Sequence, residues 1–478
     1  MIEGTRSDNM QLGFVIDQTS CIGCHACTVA CKQENAVPVG VFRTWVKYVE
    51  KRRFPDTERS FAVLRCNQCS RPPCVAICPT GALHKRPDGI VDLDRDACIG
   101  CRACMSACPY EALHVDAARG VASKCHMCAH RLEKNLAPAC VTVCPTNAIR
   151  IADFHDGSDP LVHRVRSGET LVRRPEKRTG PNVHYVGASI EALSPEAAHR
   201  GSAWLWSERA PGRPEVVGVG SADAQVVMEP VHEVPWGAMV PTFLLIKGTE
   251  AGFALDAPFT SLAAWLAPLI GALGTLVAAL LMLADLRRPE RWHLMFARGN
   301  SRSWLVRGAW ILGIYGMLQA TGLALALGGM TFAATGIEWV AVACAPVVAG
   351  YSGALFGQCE GREMWRSPLV LPRMLVQAVA AGASLATALG QASFAPWAVA
   401  GFIAYLGLGL AFRSGNGASA LYLRRARPLG LAPLPVVVAG AVLAGLGALH
   451  PALAAIAIAA LLIEDLAWVR SAQLPANS

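Results

Sequence analysis

The chain has 478 residues, 53% of them hydrophobic and 16% charged, with a formal net charge of +8 and a positive mean hydropathy. The positive charge falls mostly in a linker and in short loops of the second half, which gives no support to nucleic-acid binding. A disulfide-stapled secreted domain is not expected either, because residues 1–20 read as no secretory peptide and cysteines so close in sequence bridge poorly.

Sixteen of the eighteen cysteines fall in the first third, in four quartets. They are Cys21, Cys24, Cys27 and Cys31; Cys66, Cys69, Cys74 and Cys78; Cys98, Cys101, Cys104 and Cys108; and Cys125, Cys128, Cys140 and Cys144. That is the ligand count of four iron–sulfur cubanes. Thiolates two residues apart wrap one face of a cluster from a single loop, and the cysteine three residues further on projects toward a second cluster. Structural zinc needs only two CxxC pairs per ion and gives no reason for the distal Cys-Pro.

Three quartets end alike, in Cys78-Pro79-Thr80-Gly81-Ala82-Leu83, Cys108-Pro109-Tyr110-Glu111-Ala112-Leu113 and Cys144-Pro145-Thr146-Asn147-Ala148-Ile149. Proline fixes the turn that leaves the ligand, and the apolar pair packs beneath it. Phe14-Val15-Ile16-Asp17 before Cys21-Ile22-Gly23-Cys24 is echoed by Ile90-Val91-Asp92-Leu93 before Cys98-Ile99-Gly100-Cys101. Short strands feeding cluster loops, twice over, predict two ferredoxin modules.

These motifs, over about residues 13–153, resemble the four-cluster ferredoxin subunits that serve molybdopterin enzymes of the dimethyl sulfoxide reductase superfamily. The four-residue gap between Cys69 and Cys74 and the eleven-residue gap between Cys128 and Cys140 carry the likeness. The resemblance implies that the first quartet interlocks with the fourth and the second with the third. One 4Fe–4S cluster would then sit on Cys21, Cys24, Cys27 and Cys144, and its neighbour on Cys31, Cys125, Cys128 and Cys140. A third would use Cys66, Cys69, Cys74 and Cys108, and the last Cys78, Cys98, Cys101 and Cys104. Asn135 stands where relatives often carry glycine. His25, His126 and His130, beside ligand cysteines, read as ordinary loop residues, the alternative being donors of hydrogen bonds to sulfur that tune cluster potential, and Lys32, Arg71, Arg102, Lys124 and Arg131 as loop charge or complements to the clusters.

After about residue 235 the composition turns apolar. Stretches at 239–257, 261–284, 304–327, 337–356, 371–390, 394–412, 433–449 and 453–469 each approach the roughly 20 residues that cross a bilayer as a helix. Arg287, Arg288, Arg291, Arg298 and Arg302, then Arg362, Arg366 and Arg373, then Arg413, Arg424, Arg425 and Arg427 mark alternate loops, whereas the loops near Pro258, Gly329, Gln391 and His450 hold no lysine or arginine. By the positive-inside rule, eight crossings place both ends and the ferredoxin domain on the cytoplasmic side of the inner membrane.

This half resembles the NrfD or polysulfide-reductase type of membrane subunit through Asp285-Leu286-Arg287-Arg288-Pro289-Glu290-Arg291, Ser303-Trp304-Leu305-Val306-Arg307-Gly308 and Gln358-Cys359-Glu360-Gly361-Arg362-Glu363-Met364-Trp365. The resemblance implies exchange of electrons with a membrane quinone, menaquinone or ubiquinone, without haem. His232, His293 and His450 are not placed as intramembrane haem ligands. Polar groups for the quinone oxygens are expected among Asp285, Arg288, His293, Trp304, Arg307, Gln358 and Glu360. Lys247 and Glu250, ionisable and within the first span, are quinone or proton candidates able to share a helix face as an ion pair, and Glu464 and Asp465 are weaker ones. Cys344 and Cys359 stand alone and read as structural.

The expected architecture is therefore a multidomain chain. An α+β double dicluster-ferredoxin domain (1–153) leads through a linker and docking segment (154–233) to an all-α membrane bundle of about eight transmembrane helices (234–478). The expected function is electron transfer and membrane anchoring for a molybdopterin-containing catalytic subunit, with contacts to lipid and quinone but no substrate-reducing centre in the chain itself. Alternatives are a quinol-oxidising module feeding a periplasmic multihaem cytochrome and a proton-translocating coupling module.

Overall fold

The computed structural model describes residues 10–52, 55–194, 197–200, 224–228, 233–414 and 433–473. His232, Arg424, Arg425 and Arg427 lie outside the described residues, as does the side chain of Arg413. The chain divides into two compact units between Glu233 and Val234.

The first unit is built on short strands around the cysteine loops. Leu12–Asp17, whose Phe14 and Ile16 are fully buried, pairs antiparallel with Ile149–Asp153 and parallel with Val183–Val186. A second sheet pairs Thr44–Lys51 with Glu58–Arg65 and with Ala224–Met228. Two hairpins, Leu83–Lys85 with Val91–Leu93 and Leu113–Asp116 with Val121–Lys124, carry the loops of the middle quartets. Within residues 154–233, expected as a linker and docking segment, the strands Thr170–Leu171, Val183–Val186, His199–Arg200 and Ala224–Met228 are built into these sheets. The alternation in Val183-His184-Tyr185-Val186 buries Val183 and Tyr185 beside Phe14, as a strand requires.

The repeat seen in sequence returns in backbone angles. Gly23 and Gly100 have φ of +68° and +69°, and the residues two further on, His25 and Arg102, have +59° and +61°. Each left-handed residue starts a helix, Ala26–Asn35 in one module and Ala103–Ala107 in the other. The third residue past each Cys-Pro cysteine is also left-handed: Gly81, Glu111 and Asn147. Asn135 adopts φ +56°, a conformation asparagine tolerates almost as glycine does.

The second unit is helical. Helices Met239–Asp256, Leu266–Ala284, Trp304–Leu327, Thr331–Gly357, Val370–Ala388, Ala395–Ser414, Pro433–Leu446 and Pro451–Gln473 follow one another. Among the described residues, six helical segments are long and apolar enough to cross a membrane. Met239–Asp256 is not among them and carries Lys247, Glu250 and Asp256, while Pro433–Leu446 is described for only 14 residues. Leu273, Leu276 and Leu280, and Trp310, Ile314 and Met317, point outward, as lipid contact demands. The interior is small-residue packing: Ala380, Ala381, Ala383, Ala398 and Ala457 are fully buried with Phe402 and Tyr405. Gly252 and Gly382 let Met239–Asp256 and Val370–Ala388 touch backbone to backbone, since a Cβ on Gly252 would lie 1.8 Å from Ala378 O.

Arg373 departs from its expected place in a basic loop. It lies in the first turns of Val370–Ala388, 1% exposed, with its charge answered inside the bundle.

Candidate redox centres and buried membrane charges

No disulfide joins any of the eighteen cysteines, all of which lie among the described residues. Cys31, Cys125, Cys128 and Cys140 line one cavity, and Cys78, Cys98, Cys101 and Cys104 line another. Each cavity draws cysteines from two quartets: Cys31, within the helix Ala26–Asn35, joins the first three of the fourth quartet, and Cys78, just past the helix Pro73–Ile77, joins the first three of the third. Cys66 and Cys108 are the electrostatic neighbours of Cys69 and Cys74, while Cys24 and Cys144 are those of Cys21. Cys27 faces both Cys21 and Cys140. The structure thus gathers the sixteen cysteines into neighbourhoods that cross between quartets.

These neighbourhoods suit a polynuclear cluster. Among the described residues, no three His, Cys, Asp or Glu converge closely enough to hold a single metal ion. Burial pushes the Cys27 thiol up to about 11 and the Cys101 thiol up to about 12, so iron is what would hold these sulfurs as thiolates at neutral pH. Donors also aim at sulfur. Arg65 Nη1 donates to Cys140 Sγ at 3.2 Å, and the Leu83 and Ala122 amides donate to Cys78 and Cys98 Sγ at 3.5 Å. Such groups offset the negative charge of cluster and thiolates, and the cluster when bound supplies a one-electron redox centre.

Lys247 and Glu250 do not pair with each other. Lys247 Nζ turns to the Thr331–Gly357 helix and donates to Val348 O (2.9 Å), Ala349 O (2.8 Å) and Ser352 Oγ (3.0 Å), 4.4 Å from the centre of the Tyr351 ring. Glu250 turns to the Leu266–Ala284 helix, where Thr275 Oγ1 donates to its carboxylate at 3.2 Å and Gly274 leaves room for it. Each is met by a different neighbouring helix, which presents two carbonyls and a serine hydroxyl to Lys247 and a threonine hydroxyl to Glu250.

Of the other sequence candidates, Trp304, Arg307 and Gln358 come together. Gln358 Oε1 accepts from the Trp304 amide at 2.9 Å, and Arg307 lies 4.9 Å over the Trp304 ring. Glu360 pairs with Arg366 at 2.8 Å and Arg288 with Glu290 at 3.2 Å. Asp285 closes the Leu266–Ala284 helix and His293 is exposed.

A second group of buried charges lies deeper than the sequence indicates. Arg373 Nη2 donates to Asp465 Oδ1 at 2.8 Å and also to Glu464 and Tyr405. Tyr405 Oη donates to Glu464 Oε2 at 2.9 Å, and Gln377 donates to Asp465. Arg373 and Gln377, four apart on one helix face, were a signal for such a site when set against Glu464 and Asp465 in the last helix. Tyr405 had none, since a tyrosine in an apolar run reads as packing.

Comparison with known proteins bears on both units. Residues 57–154 match the family model described as 4Fe-4S dicluster domain, residues 18–38 that described as 4Fe-4S binding domain, and residues 227–469 that described as Polysulphide reductase, NrfD. The B component of tetrathionate reductase from Salmonella typhimurium is 37% identical over 206 residues, covering 42% of this chain and 82% of that protein. The thiosulfate reductase electron transfer subunit PhsB of Salmonella typhi is 39% identical over 167 residues, covering 34% and 85%. The B component of sulfite dehydrogenase from Allochromatium vinosum is 39% identical over 198 residues, covering 37% and 82%.

Proposed function

Since this polypeptide belongs to the NrfD polysulphide reductase family and also carries a 4Fe–4S ferredoxin unit, we propose that it links a catalytic partner to the membrane quinone pool. It is an electron-transfer and membrane-anchor subunit, and the partner is a molybdopterin oxidoreductase that holds the substrate. Four 4Fe–4S clusters form the relay, on the four interlocked ligand sets named above. The observation that carries this reading is the pair of cavities, each ringed by four cysteines from two quartets.

The cluster on Cys21, Cys24, Cys27 and Cys144 faces the partner. Cys24 is exposed there, with Ile22 and Val29 offering apolar surface beside it. Eight helices cross the bilayer, and the arginine-rich loops put the ferredoxin unit in the cytoplasm. The quinone binds at the basic ends of the helices, near Trp304, Arg307 and Gln358, or toward Lys247 and Glu250. Relatives named for reductases and for a dehydrogenase leave electron flow open to either direction in this chain.

Purified complex should contain about sixteen iron atoms per chain and, once reduced, should reoxidise when menaquinone or ubiquinone analogues are added. Far less iron, or no reoxidation, defeats the reading.

A further inference from the structure

The two cysteine-ringed cavities differ in what else lines them. Two buried guanidiniums line the one ringed by Cys31, Cys125, Cys128 and Cys140, those of Arg43 and Arg65. Arg65 is 0% exposed and reaches Cys140 Sγ with Nη1, and its guanidinium stacks 4.3 Å over Phe14. Its Nε and Nη2 meet no acceptor among the described residues. A cation buried with idle donors is costly unless negative charge surrounds it. The groups around Arg65 are Cys140, Cys125 and Cys27.

Arg43 is held in place by Ser123 Oγ at 2.9 Å and Asn35 Oδ1 at 2.9 Å. Asn35 Nδ2 in turn points at Cys31 Sγ (3.8 Å) and Cys128 Sγ (3.9 Å). The other cavity is walled by Leu83, Leu93, Ile99 and Val115, with Arg102 the one charged residue among those lining it.

We propose that Arg65, backed by Arg43 and Asn35, makes the cluster on Cys31, Cys125, Cys128 and Cys140 a higher-potential station than the one on Cys78, Cys98, Cys101 and Cys104. Reduction adds one negative charge to a cluster, and a fixed cation in a low-dielectric interior favours the reduced form, as do hydrogen bonds to the sulfurs. Because Arg65 also faces Cys27 of the neighbouring set, it stabilises an electron at the point where the two sets adjoin. The inference rests on the four-cluster reading and deepens it.

The test is a potentiometric titration of the purified complex followed by electron paramagnetic resonance, in wild type and in Arg65→Gln, Arg65→Lys and Asn35→Leu. Arg65→Gln should shift one transition, lying above the lowest in wild type, downward at least tenfold in its reduction equilibrium, about 59 mV for a one-electron step, while the lowest stays put. Arg65→Lys should retain most of the wild-type value, and Asn35→Leu should move the same transition by less. Iron content should be unchanged, and if Arg65→Gln loses iron, Asn35→Leu alone decides. Four unmoved transitions in variants with full iron overturn the role of Arg65 and leave the relay standing. Fewer than four transitions in wild type overturns the relay reading itself.

Discussion

Arg373 and Asp465 stand 92 positions apart in the chain and 2.8 Å apart in space, both fully enclosed by apolar helices. Removing the cation leaves a buried carboxylate uncompensated, which costs about 3–5 kcal/mol. Arg373→Met should therefore lower the thermal unfolding temperature of the detergent-solubilised complex sharply, and Arg373→Met with Asp465→Asn should recover part of the loss. A double variant no better than the single one would show that Arg373 stabilises the bundle by some other contact.

Glu250 has a threonine hydroxyl as its hydrogen-bond donor, and Lys247 is held by two carbonyls and a serine. If the pair handles the protons of quinone chemistry, Glu250→Gln and Lys247→Met should each reduce turnover with a quinone analogue about 100-fold while cluster spectra stay intact. Wild-type turnover in both variants would reduce them to scaffolding.

Gly252 and Gly382 set the spacing of two helices. Gly252→Ala forces the helices apart against Ala378 O and should destabilise the membrane unit by about 1–3 kcal/mol. Gly313→Ala, where an added Cβ meets nothing within 4 Å, should be neutral or stabilise by up to about 1 kcal/mol. Thermal unfolding of both variants separates crowding from a general effect of replacing glycine.

Burial drives the imidazole of His184 down to about 4, and that of His114 down to about 4 with Arg43 nearby adding to the effect. The unfolded chain takes up these protons first as pH falls, so their stabilising contribution is complete above about pH 6.5 and is lost progressively between there and pH 4. Each histidine adds up to about 1.4 kcal/mol per pH unit to the slope. His184→Asn should flatten the acid limb of stability against pH by about one proton, and an unchanged limb would mean that His184 titrates normally.

What the sequence makes legible is what local spacing controls. The cysteine quartets, the paired turns at Gly23 and Gly100 and the apolar helices are written within a few residues of one another. Contacts across the chain are not. Arg65 meets Cys140 across 75 residues and Tyr405 meets Glu464 across 59, and no local pattern announces either. Arg373 reads as loop charge because it follows Pro372 near a helix end, where most arginines are solvated, and only its distant acidic partner shows otherwise. The strand Val183–Val186 is hidden for a similar reason, since four residues amid charge and proline are too few to stand out until the parallel strand Leu12–Asp17 is beside them.

Gln473, at the last described turn, accepts from the Trp236 amide at 2.9 Å and donates to the Trp236 carbonyl at 3.0 Å, while its own carbonyl accepts from Arg362 at 3.2 Å. One amide side chain thereby buckles the entry strap of the helical unit to its exit. A purification tag or stop codon placed ahead of residue 473 would unfasten the start of this unit as well as its tail, so such handles belong beyond it.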